Sequence, residues 1–292
     1  MIDAHHHIWR QTDLPWLLGP EQPRIFGSYG PIKRDYPIEE YLADLSGTGI
    51  EASVYVQANW APNWAEDEVA WVQNTADRAG WPHAIIGYAD FTKGGLAPVL
   101  ESFAKYPLLR GFRQQFHWHE TAQYRFAPSP DQLAQPQVAE NIARLADYGW
   151  CFELQVFPAQ MEDAARLAAA CPEVTFVLQH AGMLVDRTGP GWVEWRRGMT
   201  LLAECENTVT KLSGFGTFLH RNDPDFIAEM VTETLAIFPA DRAMFGSNFP
   251  IEKIWTGYTE LFSAFRTATT GLPKGQQRAI FNDTARRVYR LQ

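Results

Sequence analysis

The sequence predicts an α/β protein folded as one distorted (β/α)8 barrel over residues 1–292, and three observations predict it. Eight short apolar runs alternate with eight longer amphipathic stretches, and most of the runs are rich in Val, Ile, Phe or Tyr. Such runs suit parallel strands buried on both faces by a layer of helices. The first run ends in His7-Ile8-Trp9-Arg10 rather than in the glycine-rich turn that opens a doubly wound open sheet. A length of 292 residues is ordinary for a single closed barrel.

Strand one is expected over Ile2–Trp9. Alternation along a strand puts Asp3, His5 and His7 on one face and His6 on the other. Two imidazoles about 7 Å apart along one strand can converge on one metal ion or one substrate oxygen. These histidines sit among Ile, Ala and Trp with no linker following, unlike those of a purification tag. The remaining strands are expected over Ala52–Gln57, His83–Asp90, Leu108–Arg113, Trp150–Phe157, Val174–His180, Thr208–Ser213 and Arg242–Asn248. Helices are expected over Ile38–Thr48, Ala65–Ala79, Leu96–Lys105, Gln137–Tyr148, Ala159–Ala170, Trp192–Cys205, Asp225–Phe238 and Tyr258–Thr269, each with apolar residues at three- and four-residue spacing. Two irregular stretches interrupt the alternation. Gln11–Pro37, with five prolines, and Gln115–Pro136, with His117, Trp118, His119 and Tyr124, follow strands one and four at the face where barrels carry their chemistry. Lys274–Leu291 is expected as a closing helix packed on the outside.

The net charge of −9 and the lack of a clustered Lys/Arg footprint argue against a nucleic-acid partner. No apolar run approaches the roughly 18 residues of a membrane span. Cys151, Cys171 and Cys205 have no paired spacing, which suits free thiols in a reducing compartment, so a cytoplasmic protein is expected. Eleven Trp leave room for an aromatic-walled pocket.

The polar residues at the strand ends form a candidate ring. Strand one offers His5 and His7, strand two Gln57 and Asn59, strand four Arg113, and strand five Glu153 and Gln155. Strand six offers His180, strand seven Lys211 and Ser213, and strand eight Ser247 and Asn248. Glu153 lies in Cys-Phe-Glu-Leu-Gln-Val-Phe, where an unpaired carboxylate is costly, so it needs a cation, a proton or a hydrogen-bonding partner. Lys211 reads first as a buried structural amine paired with a carboxylate and second as a substrate contact. Arg113 can clamp a planar anion through its fork or brace the barrel through a salt bridge. His117 on the long loop is a candidate pocket residue.

The set Asp3-x-His5-x-His7, Arg110-Gly-Phe-Arg113, Gln179-His-Ala-Gly182, Lys211-Leu-Ser-Gly214 and Met244-Phe-Gly-Ser-Asn-Phe-Pro250, in this order, resembles the amidohydrolase superfamily. The likeness is to its lactonase-like branch, which includes 2-pyrone-4,6-dicarboxylate lactonase and the L-fucono- and L-rhamnono-lactonases. The resemblance covers essentially the whole chain. It implies a barrel hydrolase that opens a lactone ring, with His5, His7 and His180 binding a divalent metal or polarising the substrate carbonyl without one. It also implies an aspartate at the end of strand eight to activate water, and here the chain departs, with Asn248 in that place. An amide cannot take a proton from water at neutral pH and is a weaker metal ligand than a carboxylate. Glu153 or a histidine is then the expected base, or a bound metal makes the attacking hydroxide with little help, and His5, His7, His180 and Glu153 would form a cluster able to hold zinc or manganese. Catalysis without metal stays open.

The expected activity is hydrolysis of a sugar-acid lactone or a muconolactone, with Arg113, Gln57, Asn59, Gln155, Lys211 and His117 as substrate contacts and a small-molecule lactone as the partner. Two alternatives accompany it: a metal-dependent decarboxylase of an aromatic acid on the same barrel, and a catalytically silent binding protein whose loss of function Asn248 would mark. A homo-oligomer is compatible with the sequence.

Overall fold

The computed structural model describes residues 1–292. Eight parallel strands form one sheet in sequence order: β1 (Ile2–His6), β2 (Ala52–Val56), β3 (Ala84–Gly87), β4 (Leu109–Gln115), β5 (Cys151–Gln155), β6 (Phe176–Leu178), β7 (Thr208–Leu212) and β8 (Ala243–Phe245). The two ends of the sheet meet just beyond β8, where Asn248 N–H donates to His5 O at 2.8 Å and His7 N–H to Phe249 O at 2.7 Å. That approach leaves no room for a side chain on β8's partner loop: a Cβ on Gly246 would lie 2.6 Å from His5 Cβ.

The main helices, one following each strand, are α1 (Ile38–Asp44), α2 (Ala65–Ala79), α3 (Leu96–Phe103), α4 (Pro136–Ala143), α5 (Met161–Ala170), α6 (Gly189–Ala203), α7 (Pro224–Ile237) and α8 (Tyr258–Ala268). Their limits follow local chemistry. Helix α2 starts with Glu66, Asp67 and Glu68 and ends on Arg78, complementing the helix dipole, and Gly80 stops it with φ of 75°. Helix α7 starts at Pro224 with the Asp223 side chain accepting from Phe226 N–H. No helix is long and apolar enough to cross a membrane.

The apolar residues divide into a large core between sheet and helices and a smaller one inside the barrel, built on Ile2, Val54, Val56, Ile86, Val177, Val209 and Met244. The smaller core explains where the C-terminus goes. The expected outer closing helix is instead two short helices, Lys274–Arg278 and Thr284–Val288, joined by a π-helical turn at Ala279–Asp283. Ile280 and Phe281 pack outside the sheet, but Ala285, Tyr289 and Leu291 join the inner cluster. Arg110 Nε, near the start of β4, donates to Tyr289 O at 2.7 Å, so the chain end plugs the N-terminal mouth and keeps the barrel's lining from water.

Strand β1 is also shorter than expected, and its pairing with β2 shifts register between Asp3 and His6. A bulge breaks strict alternation. Asp3 therefore does not share a face with His5 and His7. Its Oδ2 accepts the hydroxyls of Tyr41 and Tyr258, both at 2.9 Å, and its Oδ1 accepts Ser247 N–H at 2.8 Å. His6 faces away from the other two, as expected, and stacks on Tyr41 with centroids 3.9 Å apart. The segment after β1 is pinned at its far end by paired backbone bonds between Trp9 and Tyr36.

Candidate active site

The C-terminal strand ends open on a cavity. His7, Arg113, Gln115, Gln155, His180 and Asn248 line it from the strand ends, with Asn59 and Thr217 from the loops beside them. Trp9, Trp16, Arg24, Ile25 and Phe26, from the chain following β1, add an aromatic and cationic wall; no Asp or Glu lines the cavity.

Three histidine rings run in a chain. The His5 ring centroid lies 5.1 Å from that of His7 and 4.8 Å from that of His180. His7 Nδ1 is 2.6 Å from Val56 O, and a carbonyl only accepts, so Nδ1 carries the proton and Nε2 a lone pair. His180 Nδ1 is 2.8 Å from Ser213 Oγ, a partner that can accept or donate. His5 Nδ1 is 3.5 Å from Lys211 Nζ, and its Nε2 is buried without a partner. Burial, followed by the charge of Arg113, holds His7 and His180 down to about 3. Burial and the Lys211 charge hold His5 well below the usual imidazole range. All three are neutral at pH 7.

Backbone geometry presents these groups. His180 and Ala181 have φ of 54° and 44°, Asn59 has 61° and Asn248 57°, left-handed conformations that cost little only for residues such as Asn. His180 lies against Gly214, where a Cβ would come within 2.6 Å of His180 Nδ1.

Two cations face the cavity. Arg113 donates to Gln179 Oε1 at 3.3 Å and to Gln57 O, leaving its Nε buried without a partner. Burial brings its pKa to about 10, still a cation at neutral pH. Arg24 lies with Cζ 5.7 Å from the Trp16 ring, and its Nε is also unpartnered.

The structure separates Glu153 and Lys211 from this group. They form a wholly buried ion pair with Nζ–O distances of 2.6 and 2.7 Å, and neither lines the cavity. Gln179 Nε2 and Tyr289 Oη each donate to the same carboxylate at 2.6 Å, so its oxygens are fully engaged. Glu153 is thus placed to neutralise Lys211 rather than to deprotonate cavity water, and the expected cluster of three histidines and one carboxylate is not assembled. No three His, Cys, Asp or Glu side chains gather as a metal ion's ligand set. A resident zinc or manganese ion wants converging ligands, and no such set converges as folded.

Of the other expected contacts, Asn59, Gln155 and Arg113 line the cavity. The Gln57 side chain accepts Asn59 N–H at 2.6 Å and does not line it. His117 is buried between Phe126 and Phe157, with centroids 5.5 and 5.4 Å away, off the cavity. Sequence reasoning missed Arg24, Gln115, Met183, Thr217 and Ile251 as lining residues. Gln115 was within reach, two residues past Arg113 on the same strand face; Arg24 had no signal beyond its place in the proline-rich segment.

A closed parallel barrel with a histidine-rich, carboxylate-free cavity at its C-terminal face defines an enzyme scaffold, and comparison with known proteins gives the class as hydrolase. The chain belongs to the amidohydrolase family whose model matches residues 2–291. It is 35% identical to the uncharacterized protein y4mH of Sinorhizobium fredii, over 100% of this chain and 98% of the relative. It is 28% identical to L-fucono-1,5-lactonase of Burkholderia multivorans, over 99% of this chain and 96% of that one. A crystal structure of an amidohydrolase from Burkholderia multivorans with bound zinc superposes with a TM-score of 0.83 at 26% identity, covering 100% of this chain and 99% of the other.

Proposed function

We propose that this protein hydrolyses a lactone that carries a negative charge, of the muconolactone type. One observation carries the reading: Arg24 and Arg113 line the cavity and no carboxylate does. Two cations without counterions favour an anionic ligand, and a guanidinium fork suits a carboxylate. Neutral sugar-acid lactones would rely instead on Asn59, Gln115 and Gln155.

The tautomers divide the chemistry. His7 Nε2, with its proton fixed on the far nitrogen by Val56 O, accepts a proton from the attacking water. Ser213 donates its hydroxyl hydrogen to His180 Nδ1, which leaves Nε2–H of His180 to donate to the lactone carbonyl oxygen. As the carbonyl carbon takes the water oxygen, negative charge collects on the carbonyl oxygen between His180 and Arg113. The carbonyl re-forms, the ring C–O bond breaks, and His7 returns its proton to the departing ring oxygen. Burial is the main cause of the low basicity of His7 in the free protein and the Arg113 charge the next, and an anionic substrate offsets the Arg113 part. No step draws on a metal.

The test is proton release, followed with a pH indicator, from a panel of muconolactones and sugar-acid γ- and δ-lactones. Turnover of charged members ahead of neutral ones is expected. Carbon dioxide release from hydroxybenzoates in its place would establish the decarboxylase, and tight binding without turnover the silent binding protein.

A further inference from the structure

Arg24, Ile25 and Phe26 line the cavity from the middle of the segment that follows β1. The flanks of that segment are fixed: Trp9 and Tyr36 exchange backbone hydrogen bonds, and the Trp16 indole N–H donates to Ala58 O at 3.0 Å. Between Leu18 and Ile32 only two hydrogen bonds reach chain outside the segment. Gln123 Nε2 donates to Arg24 O at 2.9 Å, and His220 Nε2 lies 3.0 Å from Ile25 O. A carbonyl only accepts, so His220 carries a proton on Nε2. The two bonds thus fall on consecutive carbonyls, where the segment supplies its cation to the cavity.

The donors stand on loops that brace each other. Gln123 lies in one short helical turn, Ala122–Tyr124, after β4, and His220 lies in a turn after β7 where Leu219 N–H and His220 N–H both donate to Gly216 O, at 3.0 and 2.8 Å. Tyr124 packs edge-on against Phe218 with centroids 5.7 Å apart. On the segment's side Gly27 receives the His220 ring: its φ is 74°, and a Cβ there would lie 3.1 Å from the ring's Cε1. No carboxylate lines the cavity to fix the Arg24 side chain, whose neighbour is the Trp16 ring 5.7 Å from Cζ. Where Arg24 sits therefore follows from where its backbone is held.

We propose that Gln123 and His220 are positioning residues that hold the Arg24–Ile25 backbone against the cavity and thereby set the preference for a charged substrate. Neither lines the cavity, and each acts through Arg24. Both bonds are exposed to solvent, and a neutral hydrogen bond shifts a population by roughly 2- to 10-fold, so the pair holds the segment without locking it. The consequence for substrate choice rests on the lactonase reading; the holding of the segment does not.

Limited trypsin digestion tests the holding, because the bond after Arg24 is a trypsin site whose carbonyl Gln123 engages. Release of fragment 1–24 is followed by mass spectrometry in the wild type, Gln123→Met, His220→Leu and the double variant, with cutting after Arg78 in α2 as the measure of global unfolding. Cutting tracks the open population when opening is fast, so the double variant should release the fragment roughly 10-fold faster with Arg78 cutting unchanged. Unchanged release, or an equal rise at both sites, overturns the proposal. His220→Gln keeps an amide donor for Ile25 O and should stay near the wild type; behaviour like that of His220→Leu counts against the hydrogen bond. In the double variant KM for γ-carboxy-γ-butyrolactone should rise several-fold with kcat steady, and KM for γ-butyrolactone should move less; equal shifts overturn the role in substrate choice. If neither lactone is turned over, the lactonase reading fails while the digestion still decides whether Gln123 and His220 hold Arg24.

Discussion

In the proposed mechanism the reaction turns on His7 and the substrate choice on Arg24. Loss of a general base costs about 10²–10⁴ in rate, so His7→Ala should lower kcat by that range with KM little changed, read from progress curves on a charged lactone. A charge-assisted hydrogen bond contributes about 1.5–3 kcal/mol, so Arg24→Met should raise KM for the charged lactone by roughly 10-fold or more and leave a neutral lactone unaffected. Equal loss on both substrates would mean that Arg24 only supports the loop. At this scale the sequence showed the histidines, because His-x-His at one strand's end and His180 at another's leave few structural uses. It could not show their tautomers, which depend on Val56 O and Ser213 Oγ, groups 49 and 33 residues away in the chain. Nor could it show that Glu153 would be taken up by Lys211, Gln179 and Tyr289, the last 136 residues distant.

Among the elements, β5 and β7 are tied through the barrel interior by the Glu153–Lys211 pair. Removing one partner of a buried pair leaves the other charge uncompensated and costs about 3–5 kcal/mol. Lys211→Met and Glu153→Gln should each lower the urea midpoint strongly, and the double variant should recover much of the loss. Additive losses would instead assign each side chain an independent role. Strands and helices were readable because apolar runs and helical spacing are local signals. The shift in β1 was not, since a bulge is set by pairing with β2 and moved Asp3 to the tyrosines of α1 and α8. The C-terminal segment misled for a related reason: its periodicity shows an apolar face but not whether that face meets the outside of the sheet or its open end.

For the whole molecule, buried titratable groups set the pH dependence of stability from both sides. His7, His117 and His180 take protons only near about 3 when folded, and His5 and His6 also lie well below normal, whereas unfolded histidines protonate near about 6.5. The unfolded chain therefore binds more protons below pH about 6.5, and stability falls as pH drops through that window. Glu68 and Glu252 are raised by burial to about 7 and about 8, so their folded forms bind more protons than the unfolded chain above about 4.3, and stability falls as pH rises toward 8. Thermal unfolding across pH should accordingly peak in the weakly acidic to neutral range; a steady rise to pH 9 would contradict the buried acids. The closed barrel that buries these groups also keeps the cavity free of carboxylates, and the account depends most on that charge pattern. The most direct test compares kcat/KM on γ-carboxy-γ-butyrolactone and on neutral γ-butyrolactone in protein stripped by a chelator. Hydrolysis that survives stripping and favours the charged lactone by roughly 10-fold or more is predicted; activity lost on stripping and restored by zinc, or a preference for the neutral lactone, would contradict it.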